Sequence, residues 1–428
     1  IPTNSLEAVK EVKWLKDNNS LLFSRSDTGY YNWFVTSVTS KFKTKQLTKK
    51  SQNNRQITFN ADKTKGVYLR GRNEIYLMDL KTFKSELIVK DELWGFYNSN
   101  PYFSPDGKYI SYTAVRDFEA DIFVYNIASK KAINLTKTKV SEREPIWSAD
   151  GKYIYMSSER TAPSFPGGGK GNSKVYQMAL DKYEKPFKID KINELFKEEK
   201  KEEKDKKDKK TTKKKEKVTV EINEKGLMNR LTLISPRFGN QRNITVVNEG
   251  EKTHVLYISN HDQGKRKLWK TTLAPFEDNK TIKLSDKPVY RYQFITAGKK
   301  NYILSSGIIH TIDLKANKTK PIAIKYRFNK SLANEFNQMY YEAWAGMEEN
   351  FYDENFHGEN WQKHRDSYAK FLPYVSSRAN LRLIFNDMLG ELNTSHFGFN
   401  SRGKEEGIYY GTQTLETGII YSNDNPYI

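Results

Sequence analysis

Cysteine is absent from the 428 residues. Its absence excludes disulfides, thiolate catalysis and cysteine-based metal sites, but it does not decide the cellular compartment. The sequence also lacks any stretch near the roughly 20 consecutive apolar residues that a membrane-spanning helix needs. The composition therefore predicts a soluble chain with no membrane partner. The six histidines show no metal-ligand spacing such as HExxH, so we expect neither a metal nor another cofactor.

The chain begins with Ile1, and no signal-like apolar region follows it, so we expect a mature or excised product. Its length of 428 residues exceeds what one ordinary core supports, because cores usually divide beyond roughly 250–300 residues. A propeller is an exception, since it grows by adding blades. Aromatic residues make up 13% of the chain, which suits a β-rich protein.

Positive charges exceed negative charges by 20, which raises the question of nucleic-acid binding. A quarter of this excess lies in residues 197–217, where 12 lysines face 7 acidic residues. A mixed-sign run without apolar residues predicts a disordered insertion, with an electrostatic tether as the alternative. The other lysines are scattered and lack the clustered Arg and aromatic pattern of a groove binder. We therefore expect no nucleic-acid partner.

A repeat with a period near 44 residues is the strongest structural signal. Its aromatic anchors are separated by 45, 44 and 44 residues, and each anchor leads through a turn such as Ser104–Gly107 into further short strands. Four short strands in each unit predict a blade of a β-propeller. The wording SPDGKYI resembles TolB-like propeller repeats. The four anchors are Trp14, Phe59, Phe103 and Trp147.

Further units follow with more drift, so we predict a mainly β fold with a six- or seven-bladed propeller over residues 1–326. Residues 253–285 form a fifth unit and residues 301–324 a sixth. Residues 218–235 hold two more predicted strands, and they are the candidate for most of a seventh blade.

After Arg327 the apolar period changes from two to about 3.6, which predicts helices. The first spans residues 331–352 with Ser331 as its cap, and the second spans 361–372 and is stopped by Pro373. The third spans about 377–391, so that Ser395 and His396 lie on the strand or turn just beyond it.

Four co-linear motifs cover about 70 residues of this segment: EAW (342–344), FYD (351–353), HGxxW (357–361) and MLGELNTSH (388–396). In this order they resemble the core domain of the tricorn proteases, and a preceding propeller fits the same family. The resemblance implies a small helical core domain at 327–402 and the start of a PDZ-like domain at 403–428.

The resemblance also implies a serine-type peptidase that hydrolyses peptides or unfolded proteins admitted through the propeller. His396 would be the general base, and Ser395 would link its imidazole to a distant Glu. The nucleophilic serine belongs to a second core domain of the family, so we expect the 428 residues to be inactive alone. Family resemblance further implies a homo-oligomer, a hexamer, in the cytoplasm, with the periplasm as the alternative.

Structural and non-enzymatic interpretations stay open at this point. A lone histidine after a helix is more often structural than catalytic, and only the motif match favours His396 as a base. His357 is expected to be a structural loop residue. A propeller can also act as a non-enzymatic scaffold that binds protein partners, and this is the alternative function.

Overall fold

The computed structural model describes residues 8–26, 29–39, 43–93, 99–116, 119–161, 172–183, 218–298, 300–325, 331–395 and 398–399. The predicted insertion (197–217), His396 and the predicted PDZ-like start (403–428) lie outside these residues. The chain forms two compact units, Ala8–Phe328 and Asn329–Ile428. No helix in the described ranges has the length and apolarity to cross a membrane.

The larger unit contains, among its described residues, six four-stranded antiparallel sheets. Within each sheet the strands pair in chain order, as the blades of a propeller do. This confirms the predicted propeller, and we number its blades 1 to 6 along the chain. The first three blades are β1 Ala8–Trp14, β2 Ser20–Ser26, β3 Tyr31–Ser37, β4 Thr44–Gln46; β5 Asn54–Phe59, β6 Lys65–Arg70, β7 Glu74–Asp79, β8 Ser85–Lys90; and β9 Tyr102–Phe103, β10 Tyr109–Arg116, β11 Glu119–Asn126, β12 Lys131–Asn134.

The other three blades continue the same order with one long connection inside blade 4, between its third and fourth strands. They are β13 Glu142–Trp147, β14 Tyr153–Ser158, β15 Lys174–Ala179, β16 Leu231–Leu233; β17 Gln241–Glu249, β18 Lys252–Ser259, β19 Lys267–Leu273, β20 Lys280–Lys283; and β21 Gln293–Ala297, β22 Lys300–Ser305, β23 Ile308–Asp313, β24 Lys318–Pro321.

The expectation of a seventh blade in residues 218–235 is wrong. Residues 218–224 hold no strand, residues 227–230 form a 3-10 helix, and β16 pairs with β15 to complete blade 4. Val220 and Leu227 are buried in the same cluster as Ile154 and Met178 of blade 4. The apolar residues that look like strand positions therefore pack against a blade that already exists.

The turn after the first strand of blade 3 explains why the SPDG wording recurs. Ser104 Oγ donates to Asp106 Oδ1 over 2.6 Å and accepts from the Tyr109 amide over 3.0 Å. Gly107 has φ of 72°, a left-handed conformation that glycine adopts without steric cost. Blade 4 repeats this turn at Ser148, Asp150, Gly151 and Tyr153.

Apolar clusters join consecutive blades rather than one central core. One cluster combines residues of blades 2 and 3, another those of blades 3 and 4, and similar clusters join blades 1 and 2, 4 and 5, and 5 and 6. Each of blades 2 to 5 therefore buries one face against the preceding blade and the other against the following blade. A repeat that cannot bury its own faces is stable only in such an array.

The first strands of blades 1 to 5 contact one another in succession, as the strands nearest the centre of a propeller do. In blades 1, 2, 4 and 5 this strand carries a register shift against the second strand. The first residue of each shift has a left-handed backbone, with φ between 52° and 60°. These four bulge residues are Glu11, Gln56, Glu144 and Asn243.

Three of the bulge side chains, Glu11, Glu144 and Asn243, connect their blade to the next. Glu11 accepts the Gln56 amide over 2.6 Å with one carboxylate oxygen and the Ile57 amide over 2.8 Å with the other. Glu144 accepts the Asn243 amide over 2.7 Å in the same way. Carboxylates that accept backbone N–H groups form strong, charge-assisted bonds. The bulges therefore act as a polar belt that complements the apolar clusters between blades.

The smaller unit has, among its described residues, three α-helices: α1 Leu332–Asn350, α2 Trp361–Ala369 and α3 Arg378–Gly390. Ser331 caps α1 as expected, by accepting the Asn334 amide. The second helix ends at Ala369, earlier than the expected Leu372, because Pro373 lies in a separate 3-10 turn. The core of this unit is built from buried side chains of α1 and α3, namely Phe336, Tyr340, Trp344, Leu381, Phe385 and Met388.

Candidate functional site

Two tryptophans from different motifs hold α1 to the start of α2. The indole N–H of Trp344 donates to the Trp361 carbonyl over 2.9 Å, and the indole N–H of Trp361 donates to the Trp344 carbonyl over 3.2 Å. Both rings are buried and stacked, with centroids 6.4 Å apart. Because each buried N–H finds a carbonyl, neither tryptophan leaves an unpaired donor in the core. The EAW and HGxxW motifs therefore form one structural pair.

Stacked rings extend from this pair to the loop between α1 and α2. Phe356 stacks on Trp361 at 5.3 Å, and Phe351 stacks on Phe356 at 5.1 Å. Phe351 and Phe356 are both buried. The rings give the loop a rigid floor, and the polar residues of the FYD and HGxxW motifs lie along it.

Asp353 fixes the backbone of this loop. Its carboxylate accepts the Asn355 amide over 2.9 Å and the His357 amide over 2.8 Å. The hydrogen bond from the Asn355 amide has the largest effect and that from the His357 amide the next largest, and together they lower the pKa of Asp353 below its ordinary value. The ionised carboxylate is therefore part of the loop structure at neutral pH.

The imidazole of His357 connects the loop to the end of α3. Its Nδ1 lies 2.9 Å from the Leu392 carbonyl oxygen, and its Nε2 contacts the Tyr352 hydroxyl. A carbonyl oxygen only accepts, so Nδ1 carries the proton, and in the neutral ring Nε2 accepts from the tyrosine. The histidine that the sequence assigns to loop structure thus reaches the residue three positions before Ser395.

The chain turns sharply after α3. The Asn393 amide donates to the Gly390 carbonyl over 3.0 Å, and Asn393 itself has φ of 47°. Ser395 lies exposed in a turn, one of the two placements expected from the sequence. The Thr394 hydroxyl oxygen is buried and has no hydrogen-bond partner among the described residues. His396, the predicted base, lies outside those residues.

The chain beyond this turn is attached to α3 as well. The Phe399 amide donates to Asn386 Oδ1 over 3.3 Å, and the Phe399 ring packs on Phe385 at 4.5 Å. The described positions before and after the Ser395–His396 pair, Leu392 and Phe399, are therefore both held. In the described ranges no group of three or more His, Asp or Glu side chains converges as a metal site would.

The centre of the propeller is a second place where polar groups converge. Burial raises the pKa of Tyr102 to about 12, with a further contribution from the charge of Glu144. The same carboxylate also raises the pKa of Tyr292, after the larger effect of burial. Glu144 of blade 4 therefore acts on blades 3 and 6 as well as on the backbone of blade 5.

A basic residue precedes each of the four bulges, and sequence reasoning missed this arrangement. Arg55 shows one role, because it donates to the Leu93 carbonyl over 2.7 Å and to the Gly71 carbonyl over 3.0 Å. The signal was present as a basic–polar pair four and three residues before an anchor in blades 1, 2 and 4. The four residues are Lys10, Arg55, Arg143 and Arg242.

Comparison with known protein families gives two matches. Residues 332–390 match the tricorn protease C1 domain, and residues 66–188 match the TolB beta propeller domain. The first match contains the EAW, FYD and HGxxW motifs and ends at the last residue of α3.

Individual relatives match parts of the chain as well. A protein of Sulfurisphaera tokodaii named as a tricorn-like protease C-terminal subunit is 22% identical over 359 residues, which cover 80% of this chain and 39% of that protein. An uncharacterised protein of Agrobacterium fabrum is 33% identical over 91 residues, 21% of this chain and 30% of its own length. The crystal structure of the tricorn protease matches with a TM-score of 0.64 at 17% identity and covers 91% of this chain and 38% of that one, which shows a shared fold. The chain thus spans less than two fifths of the length of each of these three relatives.

Proposed function

The chain carries a tricorn protease C1 domain and a TolB-like propeller, which relates it to the tricorn proteases, and from this premise we propose that it is part of a serine peptidase. Its substrates are peptides or unfolded proteins admitted through the propeller. The chain contributes the propeller and the catalytic histidine. The nucleophilic serine comes from a second core domain that the 428 residues do not include.

In this proposal His396 is the general base. It takes the proton from the nucleophilic hydroxyl and returns it to the leaving amine. Ser395 connects the imidazole to a glutamate of the second core domain and so fixes its tautomer. These two roles rest on the tricorn resemblance of residues 388–396, because His396 is outside the described residues.

The exposed turn at Ser395 is the observation that best supports this proposal. A base that serves a nucleophile from another domain must lie where that domain can reach it. Ser395 is exposed, while the chain before and after it is held at Leu392 and Phe399. A surface turn with fixed ends meets both requirements, accessibility and defined position.

The test uses the longer protein that includes the second core domain, assayed with fluorogenic peptides. We expect His396→Ala to lower kcat by at least about 10³-fold, because loss of a triad member removes proton transfer from the chemical step. Ser395→Ala should cause a smaller loss. His364 of α2, which bonds to Glu359 over 2.9 Å, gives the matched control, and His364→Ala should leave turnover unchanged. Full activity of His396→Ala would refute the assignment.

A non-enzymatic scaffold is the second candidate function, and the array of six linked blades favours it. The belt and the apolar clusters make a stable platform whatever the helical unit does. A scaffold predicts no peptide hydrolysis by the longer protein and unchanged partner binding in His396→Ala. Peptide turnover that depends on His396 would remove it.

Assembly and location complete the proposal. By resemblance, the protein forms a homo-hexamer in the cytoplasm, with the periplasm as the alternative, and its scattered lysines favour no nucleic-acid partner. Light scattering of the longer protein measures the assembly, and a monomer would contradict it. Retention on a heparin column that weakens with salt would contradict the absence of nucleic-acid binding.

A further inference from the structure

The loop before α2 holds an unusual backbone. Phe356 and His357 have φ of 51° and 55°, and Gly358 follows with φ of 87°. Left-handed conformation costs little for glycine but is unfavourable for phenylalanine and histidine. Two such residues in succession persist only when surrounding contacts hold them, and such strain concentrates at functional positions.

Several of the contacts that hold this backbone act on His357. Asp353 accepts its amide over 2.8 Å, and the ring stands against Phe351 with centroids 5.4 Å apart. With the backbone so fixed, the ring presents Nδ1–H to the Leu392 carbonyl over 2.9 Å and Nε2 to the Tyr352 hydroxyl. One ring nitrogen thus bonds to the chain that leaves α3, while the other contacts a residue of the loop itself.

We propose that His357 is a positioning residue for the Ser395–His396 pair. Its Nδ1–H fixes the Leu392 carbonyl, and thereby the direction in which the chain leaves α3. This inference rests on the proposed peptidase function, and it assigns a role to the HGxxW motif within it. His357 acts on the reaction only through Leu392 and the turn that follows, and it exchanges no proton with substrate.

The variants separate the ring from the backbone. His357→Gly removes the imidazole but accepts the left-handed backbone without strain. His357→Asn also tolerates this backbone, and its side-chain amide supplies an N–H near the position of Nδ1. A difference between the two variants therefore reports on the donor to Leu392 and not on the conformation of the loop.

The first measurement uses this chain and requires no activity. Hydrogen exchange of the backbone amides at 393–395 should accelerate in His357→Gly and return toward the original rate in His357→Asn. His364→Ala, the histidine control on α2, should leave it unchanged. Equal exchange in all variants would overturn the inference and would leave the peptidase proposal untouched.

The second measurement uses the longer protein with its second core domain. We expect His357→Gly to lower kcat by about 10²-fold with KM unchanged, because small displacement of a catalytic group costs about that much. His357→Asn should recover most of kcat. If kcat falls equally in both variants, or if the decrease in kcat parallels the decrease in Tm, the role of His357 is merely structural. Activity independent of His396 would refute the proposed function, whereas exchange at 393–395 would still decide the role of His357.

Discussion

Removal of the Glu11 carboxylate tests the belt between blades. In Glu11→Ala, the amides of Gln56 and Ile57 lose acceptors at 2.6 Å and 2.8 Å. Ile57 is only 2% exposed, so water reaches its backbone poorly. A hydrogen bond to a charged group contributes about 1.5–3 kcal/mol. Since one side chain serves both bonds, we expect a total loss of about 3 kcal/mol.

Differential scanning calorimetry of the full chain at neutral pH measures the effect. The unit Ala8–Phe328 has an unfolding entropy of about 0.7 kcal/mol/K, so each kcal/mol shifts Tm by roughly 1.5 °C and Glu11→Ala should lower Tm by about 4–5 °C. Glu11→Gln keeps one oxygen as an acceptor and should lose about half as much. Glu251 gives the control, because it is exposed in the turn between β17 and β18.

The result that would refute the reasoning is specific. If Glu11→Ala lowers Tm no more than Glu251→Ala does, the carboxylate does not connect blade 1 to blade 2 in solution. The belt would then be a consequence of blade packing and not one of its causes. Equal losses in Glu11→Ala and Glu11→Gln would show that charge, and not the acceptor geometry, determines the effect.

Two further predictions concern buried groups. Trp361→Phe keeps the stack on Phe356 but loses the N–H that donates to the Trp344 carbonyl. Urea denaturation should show that the free energy of unfolding falls by about 1 kcal/mol in Trp361→Phe and by about 3–5 kcal/mol in Trp361→Ala. Equal decreases in the two variants would contradict the paired indoles. Burial raises the pKa of Glu142 in the folded protein above its ordinary value of 4.5. At a pH above this raised pKa the ionised carboxylate lowers the free energy of unfolding by its full amount, and the destabilisation disappears as the pH falls to 4.5. Glu142→Gln should therefore raise Tm near pH 7, and a difference from the original chain that stays constant down to pH 4 would contradict this.

The blades show how far local sequence reaches. The anchors Phe103 and Trp147 and the glycines at 107 and 151 predict strand, turn and strand, because these residue types set backbone geometry locally. For residues 218–235 the local pattern gave a wrong prediction of a seventh blade. Their alternating apolar residues resemble strands, but blade 4 was already paired except at the edge of β15. One strand, β16, pairs at that edge, and the other apolar residues pack against the blade.

The candidate site shows the opposite limit. The motifs identify Trp344, Trp361 and His357 as unusual, yet no local pattern says that the two tryptophans bond to each other or that His357 reaches Leu392. The partners in these contacts are 17 and 35 residues apart. Such bonds depend on how helices pack, which the sequence pattern of any one helix does not contain.

By itself the sequence determined the repeated blades, the change to helices after residue 327 and the likeness to tricorn proteases, because strand alternation, turn dihedrals and helical periodicity are properties of neighbouring residues. Only the tertiary structure decided that the described residues form six blades, that bulge carboxylates bond to the following blade, and that the His357 ring bonds to the Leu392 carbonyl. Each of these contacts joins groups distant along the chain, and their distance and orientation exist only once the elements have packed.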